Sequence, residues 1–224
     1  MKLNVVDASG AQARTIDVDD NVFGIEPNAA VVHQAYTTLM SNRRAGGAHT
    51  LRRGEVRGST FKTRRQKGLG RARMGGIRSA SRVGGGIAMG PRPRSFRKDL
   101  PRQMRRLAIR SALSSHARDG SLTVVDGLAP TEVSTRAMQA TLGALNVDRG
   151  ALIVSGEPDA VLVRSSRNID KVLAIPAQGL NVVDLVNAHR LIMTEEAVRA
   201  CERMWGGENL KPRRAPLEVT ADAV

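Results

Sequence analysis

Aromatic residues are nearly missing from this chain: Phe23, Tyr36, Phe61, Phe96 and Trp205 are all it carries in 224 positions. A core must therefore rest on Val, Leu, Ile, Ala and Met. Cysteine is as scarce. Cys201 stands alone, which excludes an internal disulfide and suits a reducing compartment. No apolar run approaches the ~18–20 residues of a membrane span, so no membrane partner is expected. The opening MKLNVVDASG has no apolar stretch of the kind a secretion signal needs. These absences lead us to expect a soluble, cytoplasmic protein.

Chemical signatures are missing as well. There is no GxxxxGK[ST], and Gly68 and Gly70 have neither a strand before them nor a helix after them, so no nucleotide site is expected. His33, His49, His116 and His189 lie far apart, and Cys201 has no CxxC or HxxxH company; neither a metal nor a cofactor is expected. His33 falls on a helix that must pack and reads as a core histidine. Glu157 and Asp159 sit at a strand end without a base partner and read as helix caps. No nucleophile–base pair emerges, and we expect no catalysis.

Acidic residues are the most telling absence, because they vanish from one third of the chain. From Arg43 to Arg110 there are 21 Lys and Arg against two acids, Glu55 and Asp99, so this stretch carries +19 while the rest carries −5. A block this dense repels itself and has little reason to fold in water alone. A polyanion would supply the countercharge, and nucleic acid is the usual one. Twelve of the 22 glycines lie between Gly46 and Gly90, which lets the backbone approach a partner closely. Val56, Phe61, Leu69, Met74, Ile77, Val83, Ile87 and Met89 follow neither a helical nor a strand period. The stretch therefore reads as one long extended basic loop.

Around it the pattern is regular. Leu3 to Val6 and Ala13 to Val18 predict a hairpin through Ser9-Gly10. Asn28 caps an expected first helix from Ala29 to Asn42, with Val31, Val32, Ala35, Leu39 and Met40 as its buried stripe. After the basic stretch, Asp99 is the expected N-cap of a helix to His116. Its apolar side is Leu100, Met104, Leu107, Ala108, Leu113 and Ala117. Apolar runs at Leu122–Val125, Ala151–Val154, Val172–Ile175 and Leu191–Met193 then alternate with helices over Ser134–Leu145, Asp159–Ser166, Val182–Ala188 and Glu195–Met204. The expected fold class is α/β, a mostly parallel sheet flanked by helices, with the long extended basic loop inserted after the first helix. Residues 1–44 and 99–205 would form one globular domain, 45–98 the loop, and 206–224 a disordered tail.

The candidate RNA-binding residues are the cations themselves. They are Arg43, Arg44, Arg52, Arg53, Arg57, Lys62, Arg64, Arg65, Lys67, Arg71, Arg73, Arg78, Arg82, Arg92, Arg94, Arg97 and Lys98, with Arg102, Arg105, Arg106 and Arg110 on the return helix. Arginine chelates phosphate through planar donors and stacks on exposed bases, while lysine acts as a point charge. Glycine at this density would break the helix or ribbon with which duplex readers enter a groove, whereas folded RNA is recognised by shape, loops and backbone. Two other readings stay open on composition alone. One is an RNA-modifying enzyme with a basic insertion, which would bind a nucleotide or methyl donor. The other is a nucleoid-type compactor, which would bind duplex DNA as well as RNA.

RRQKGLGRARMGG at 64–76, GGGIAMGPRPRSF at 84–96 and LPRQMRRLAIRSALS at 100–114 closely resemble large ribosomal subunit protein four of the bacterial type. AVVHQAY at 30–36, LTVVDG at 122–127, LIVSGE at 152–157, SSRN at 165–168 and GLNVVDL at 179–185 are similar to that family's globular part. The resemblance covers roughly residues 1 to 205. It implies a structural protein of the large ribosomal subunit that binds its rRNA early and aids assembly. Its partners would be large-subunit rRNA, neighbouring ribosomal proteins and the nascent peptide, with no homo-oligomer expected. The matched loop tip, which would help line the peptide exit tunnel, is Arg65, Gln66, Lys67, Gly68, Leu69, Gly70, Arg71, Ala72 and Arg73. The chain departs from the family where an aromatic often precedes RQKG, commonly after a proline. Arg64 and Thr63 stand there, so no stacking contact is carried over.

Overall fold

A computed structural model of the chain describes residues 1–128, 132–147 and 149–206. They fall into two units: Met1–Met40 with the described residues from Asp99 onward, and Ser41–Lys98. The first unit holds the sheet. In chain order its elements begin β1 Lys2–Asp7, β2 Gln12–Asp17, α1 Asp20–Phe23 and α2 Ala29–Asn42, whose last two residues fall in the second unit. They resume with α3 Arg102–Arg118, β3 Leu122–Asp126, α4 Thr135–Ala144, β4 Ala151–Ser155, α5 Ala160–Ser166 and β5 Val172–Pro176. A 3₁₀ turn at Ala177–Gly179, α6 Val182–Asn187, β6 Arg190–Thr194 and α7 Glu195–Trp205 complete it.

The six strands lie in the order β2-β1-β3-β6-β4-β5, with β1 and β2 antiparallel and every other neighbouring pair parallel. Side chains alternate across a pleated sheet, so each strand feeds two cores. The register aligns Val5, Val124, Met193, Val154 and Ile175 in one row. That face packs against Phe23 of α1, Ala35 of α2, Leu113 of α3, Leu185 of α6 and Cys201 of α7. The intervening residues Val125, Ile192, Ile153 and Ala151 face the other way, onto Met138 and Leu142 of α4 and Leu162 of α5. Every residue of β4 is buried, as an apolar interior strand covered on both faces must be.

The helices start where short polar side chains supply acceptors to otherwise orphan N–H groups. Asp159 Oδ1 accepts from the Val161 and Leu162 amides at 2.8 and 3.3 Å, the capping role expected of it. Asn28, Ser134, Asn181 and Thr194 do the same for α2, α4, α6 and α7.

Four expectations need correction. The four-residue α1, capped by Asp19, goes before the helix taken as first, so the basic stretch follows the second helix. Asp99 does not cap α3. Pro101 occupies the N-cap position, with no side-chain cap; a proline disfavours helical backbone at the residue before it, so Leu100 does not open the helix as an Asp99 cap would require. His33 and Met40 are exposed rather than buried. At 100° per residue both stand about 150° round α2 from Ala35, opposite the face that packs. Residues 207–224, where the disordered tail was expected, lie outside the described residues.

The sheet interior makes a direct prediction. Ile153→Ala should cost about 2–5 kcal/mol in urea unfolding followed by far-UV circular dichroism, because β4 has no solvated face into which the lost volume can relax. An unchanged midpoint would show that β4 is not the centre of the core.

Candidate nucleic-acid interface

Between α2 and α3 the chain forms no helix or strand, and its one ladder contact is an isolated antiparallel bridge from Lys62 to Gly76. The segment is nevertheless tied to itself. Arg94 N donates to Gly46 O at 3.2 Å, Thr50 N to Pro91 O at 3.0 Å, and Ile87 N to Leu51 O at 2.8 Å, so its two ends run side by side. Gly86 is buried at this seam, and a Cβ on it would overlap the Arg53 amide. Further out, Thr63 bonds the Gly75 carbonyl through both its amide and its hydroxyl. Residues 65–73, the expected tip, lie within the turn that these contacts close and are exposed throughout.

A segment this cationic can order itself only by giving its guanidinium groups neutral or acidic acceptors. Arg78 donates to three backbone carbonyls: Nη1 to Gly54 at 3.3 Å and Val56 at 3.1 Å, and Nε to Ser59 at 3.4 Å. Arg82 reaches Thr63 Oγ1 at 3.4 Å. Arg92 pairs with Glu55 at 2.6 Å, and the other Glu55 oxygen accepts from the Arg52 amide at 2.9 Å. The Glu55 carboxyl is held below its ordinary range, first by that amide and then by Arg92.

The other predicted cations are placed as follows. All are exposed except Arg64, Arg78, Arg82, Arg106 and Arg110. Arg110 is half-buried against α1, where Nη1 donates to Asn21 O at 3.2 Å, and its Nε is buried without a hydrogen-bond partner. Burial, aided by Arg106 and opposed by Asp19, lowers its pKa. It braces the fold, a role that arginine spacing along a helix does not reveal. Exposed apolar side chains lie among the cations: Phe61 at 85%, Met89 at 104% and Val83 at 106%. Phe96, absent from the sequence-derived site, carries Arg44 over its ring at 3.9 Å and Arg94 at 4.6 Å.

The sheet unit offers less. A cleft at the carboxyl ends of β3, β4 and β6 holds Asp126, Glu157, Glu195 and Arg199. Arg14 joins Asp126 at 3.1 Å and Glu195 at 2.5 Å, and Arg199 is bound to Glu202 at 2.9 Å, so Asp126, Glu195 and Arg199 are each held in an ion pair. Burial pushes the Cys201 thiol up to about 12, which leaves no thiolate for chemistry near neutral pH. Among the described residues no group of three or more His, Cys, Asp or Glu could hold a metal, and no helix is long and apolar enough to cross a membrane.

Residues 16–204 match the model of the ribosomal protein L4/L1 family. The chain belongs to that family. The matched span contains all of Ser41–Lys98, and the resemblance read from 64–76 and 84–114 is borne out. Relatives named large ribosomal subunit protein uL4 agree over nearly their whole length. One from Dehalococcoides mccartyi is 48% identical over 206 residues, 92% of this chain and 98% of the relative. One from Desulfitobacterium hafniense is 44% identical over 203 residues, covering 91% and 98%. One from Lactobacillus helveticus is 44% identical over 202 residues, covering 90% and 98%.

The internal ties of the segment are testable without a partner. Gly86→Ala should raise amide exchange at 50–54 and 86–91 while leaving the thermal unfolding of the sheet unit unchanged. Equal protection would mean that the seam is not where the two ends hold. For Glu55 the sign is that of a depressed carboxylate: its contribution is full above the ordinary range and is lost as pH falls through the lowered value. Acidification should therefore release Arg92 only below the ordinary carboxylate range, read as a change in its Nε–H resonance; a resonance that moves at the ordinary carboxylate pKa would contradict this.

Proposed function

We propose that this chain is a structural protein of the large ribosomal subunit, without catalysis, that binds large-subunit rRNA through the stretch from Arg43 to Arg110. The observation that carries the reading is a self-repelling charge of +19 on a segment whose exposed cations have no comparable store of acids. Phosphates supply those acids. The family and its relatives' names support the ribosome as the place where they are met.

Within this reading 1–44 and 99–205 are the globular anchor and 45–98 is the element that enters folded rRNA. Arg65, Lys67, Arg71 and Arg73, interleaved with Gly68 and Gly70, let the backbone run against RNA while guanidinium groups chelate its phosphates. The same tip would line the path of the nascent peptide. Arg102 and Arg105, exposed on the preformed α3, would make early contacts that help order assembly; neighbouring ribosomal proteins would cover the apolar groups that RNA leaves open.

Counterion release gives the test. If ten phosphates are engaged, log K for large-subunit rRNA should fall with log salt at a slope of roughly −7 to −9. Charge alone predicts equal affinity for any RNA of that length, whereas a segment shaped to a fold predicts preference for the rRNA. Replacing Arg65, Lys67, Arg71 and Arg73 by Gln should reduce that preference more than it reduces binding to random RNA. Equal reduction on both would leave only a polycation.

A further inference from the structure

We propose that the base of the Ser41–Lys98 segment is a preformed clamp for one RNA phosphodiester, with Arg44 and Arg94 as its jaws and Phe96 as the residue that positions them. The inference deepens the rRNA-binding reading and rests on it. An arginine on a flexible stem must lose rotamer freedom before it can chelate a phosphate. Here two are already gathered at one ring, with the Arg44 carbon 3.9 Å and the Arg94 carbon 4.6 Å from its centroid. A guanidinium held over an aromatic face keeps its in-plane N–H groups free, and those are the donors that fit a phosphate. Neither guanidinium has a carboxylate partner among the described residues. Two like charges at one ring repel each other, and an anion in the cleft that both arginines line offsets that repulsion.

The site is built. Ser41 Oγ donates to the Phe96 carbonyl at 2.8 Å. Asn42 accepts from Lys98 N at 2.7 Å and donates to Lys98 O at 3.0 Å, tying down the stretch on which Phe96 sits. On the facing stretch Gly46 has φ 63°, a backbone that L side chains rarely adopt. A Cβ there would overlap the Arg94 carbonyl and crowd the Phe96 ring, so glycine brings ring and arginines together. The result is a cleft of about 810 Å³ between the two stretches, with Arg44, Gly46, Gly47, Pro93, Arg94 and Phe96 on its walls. A phosphodiester fits its chemistry: two forked cations, an aromatic ring on the wall and no acid to compete.

The experiment compares the full-length wild type with Phe96→Leu, Phe96→Tyr, Arg44→Gln/Arg94→Gln and the triple variant carrying Phe96→Leu. Each is bound to a large-subunit rRNA transcript and to random RNA of equal length over a salt series, after matching thermal unfolding of the sheet unit. Phe96→Leu should weaken rRNA binding about three- to tenfold, because two side chains must then be ordered on binding, and Phe96→Tyr should not. The arginine pair should lower the salt slope by about 0.7–0.9, the value of one phosphate. Adding Phe96→Leu to the arginine pair should cost nothing more. A wild type that prefers rRNA, with Phe96→Leu unchanged or equally harmful with and without the two arginines, overturns the clamp alone. A wild type with no preference for rRNA overturns the binding reading and the clamp with it.

Discussion

Positive charge without a matching store of negative charge is the constraint from which the rest of this molecule follows. Across Arg43–Arg110 two carboxylates face 21 cations, and Glu55 is engaged by Arg92 and the Arg52 amide. Beyond Glu55, the internal order of the segment comes from acceptors that carry no charge. Arg78 gathers three carbonyls, Arg82 a hydroxyl, and Arg44 and Arg94 the face of Phe96. Each of these fixes a piece of backbone without cancelling a charge. The segment is thus partly arranged and almost wholly un-neutralised, and that combination is what an RNA partner would complete.

The sheet unit answers a different demand. It carries the acids that the segment lacks, and it joins them in local pairs such as Arg14 with Asp126. Its stability rests on alternation: Val124 faces one core and Val125 the other, Leu152 one and Ile153 the other. A parallel sheet covered on both faces is a rigid base. Both ends of the basic segment adjoin helices of this unit, α2 before it and α3 after it. Arg110 shows how closely the two demands meet, since one arginine of a basic helix is given over to holding α1.

Much of this was legible in the residues. Continuous apolar runs marked β3 to β6, Asp159 and Thr194 marked helix starts, and the family signature lay in the glycines and arginines of 64–76. What was not legible depends on residues far apart in the chain. Nothing near Arg78 says that it will turn to Gly54, Val56 and Ser59, and nothing near Phe96 says that Arg44 will lie over it. The four residues of α1 are too few to show a period, and only Asp19 signals them. The Asp99 cap failed for a local reason that the sequence did contain, since Pro101 forbids a helical Leu100. His33 and Met40 failed because apolar or half-polar type was read without its angle round the helix.

The central claim is that the countercharge of this segment is the RNA of the large ribosomal subunit. Sedimentation of cell extract through a sucrose gradient at high salt tests it most directly, with the chain followed by immunoblot across the fractions. Loose polycations are stripped by salt from whatever RNA they coat. A chain locked into folded rRNA should remain with the large-subunit peak as salt rises. Its release into the light fractions, or equal distribution over both subunits, would contradict the account.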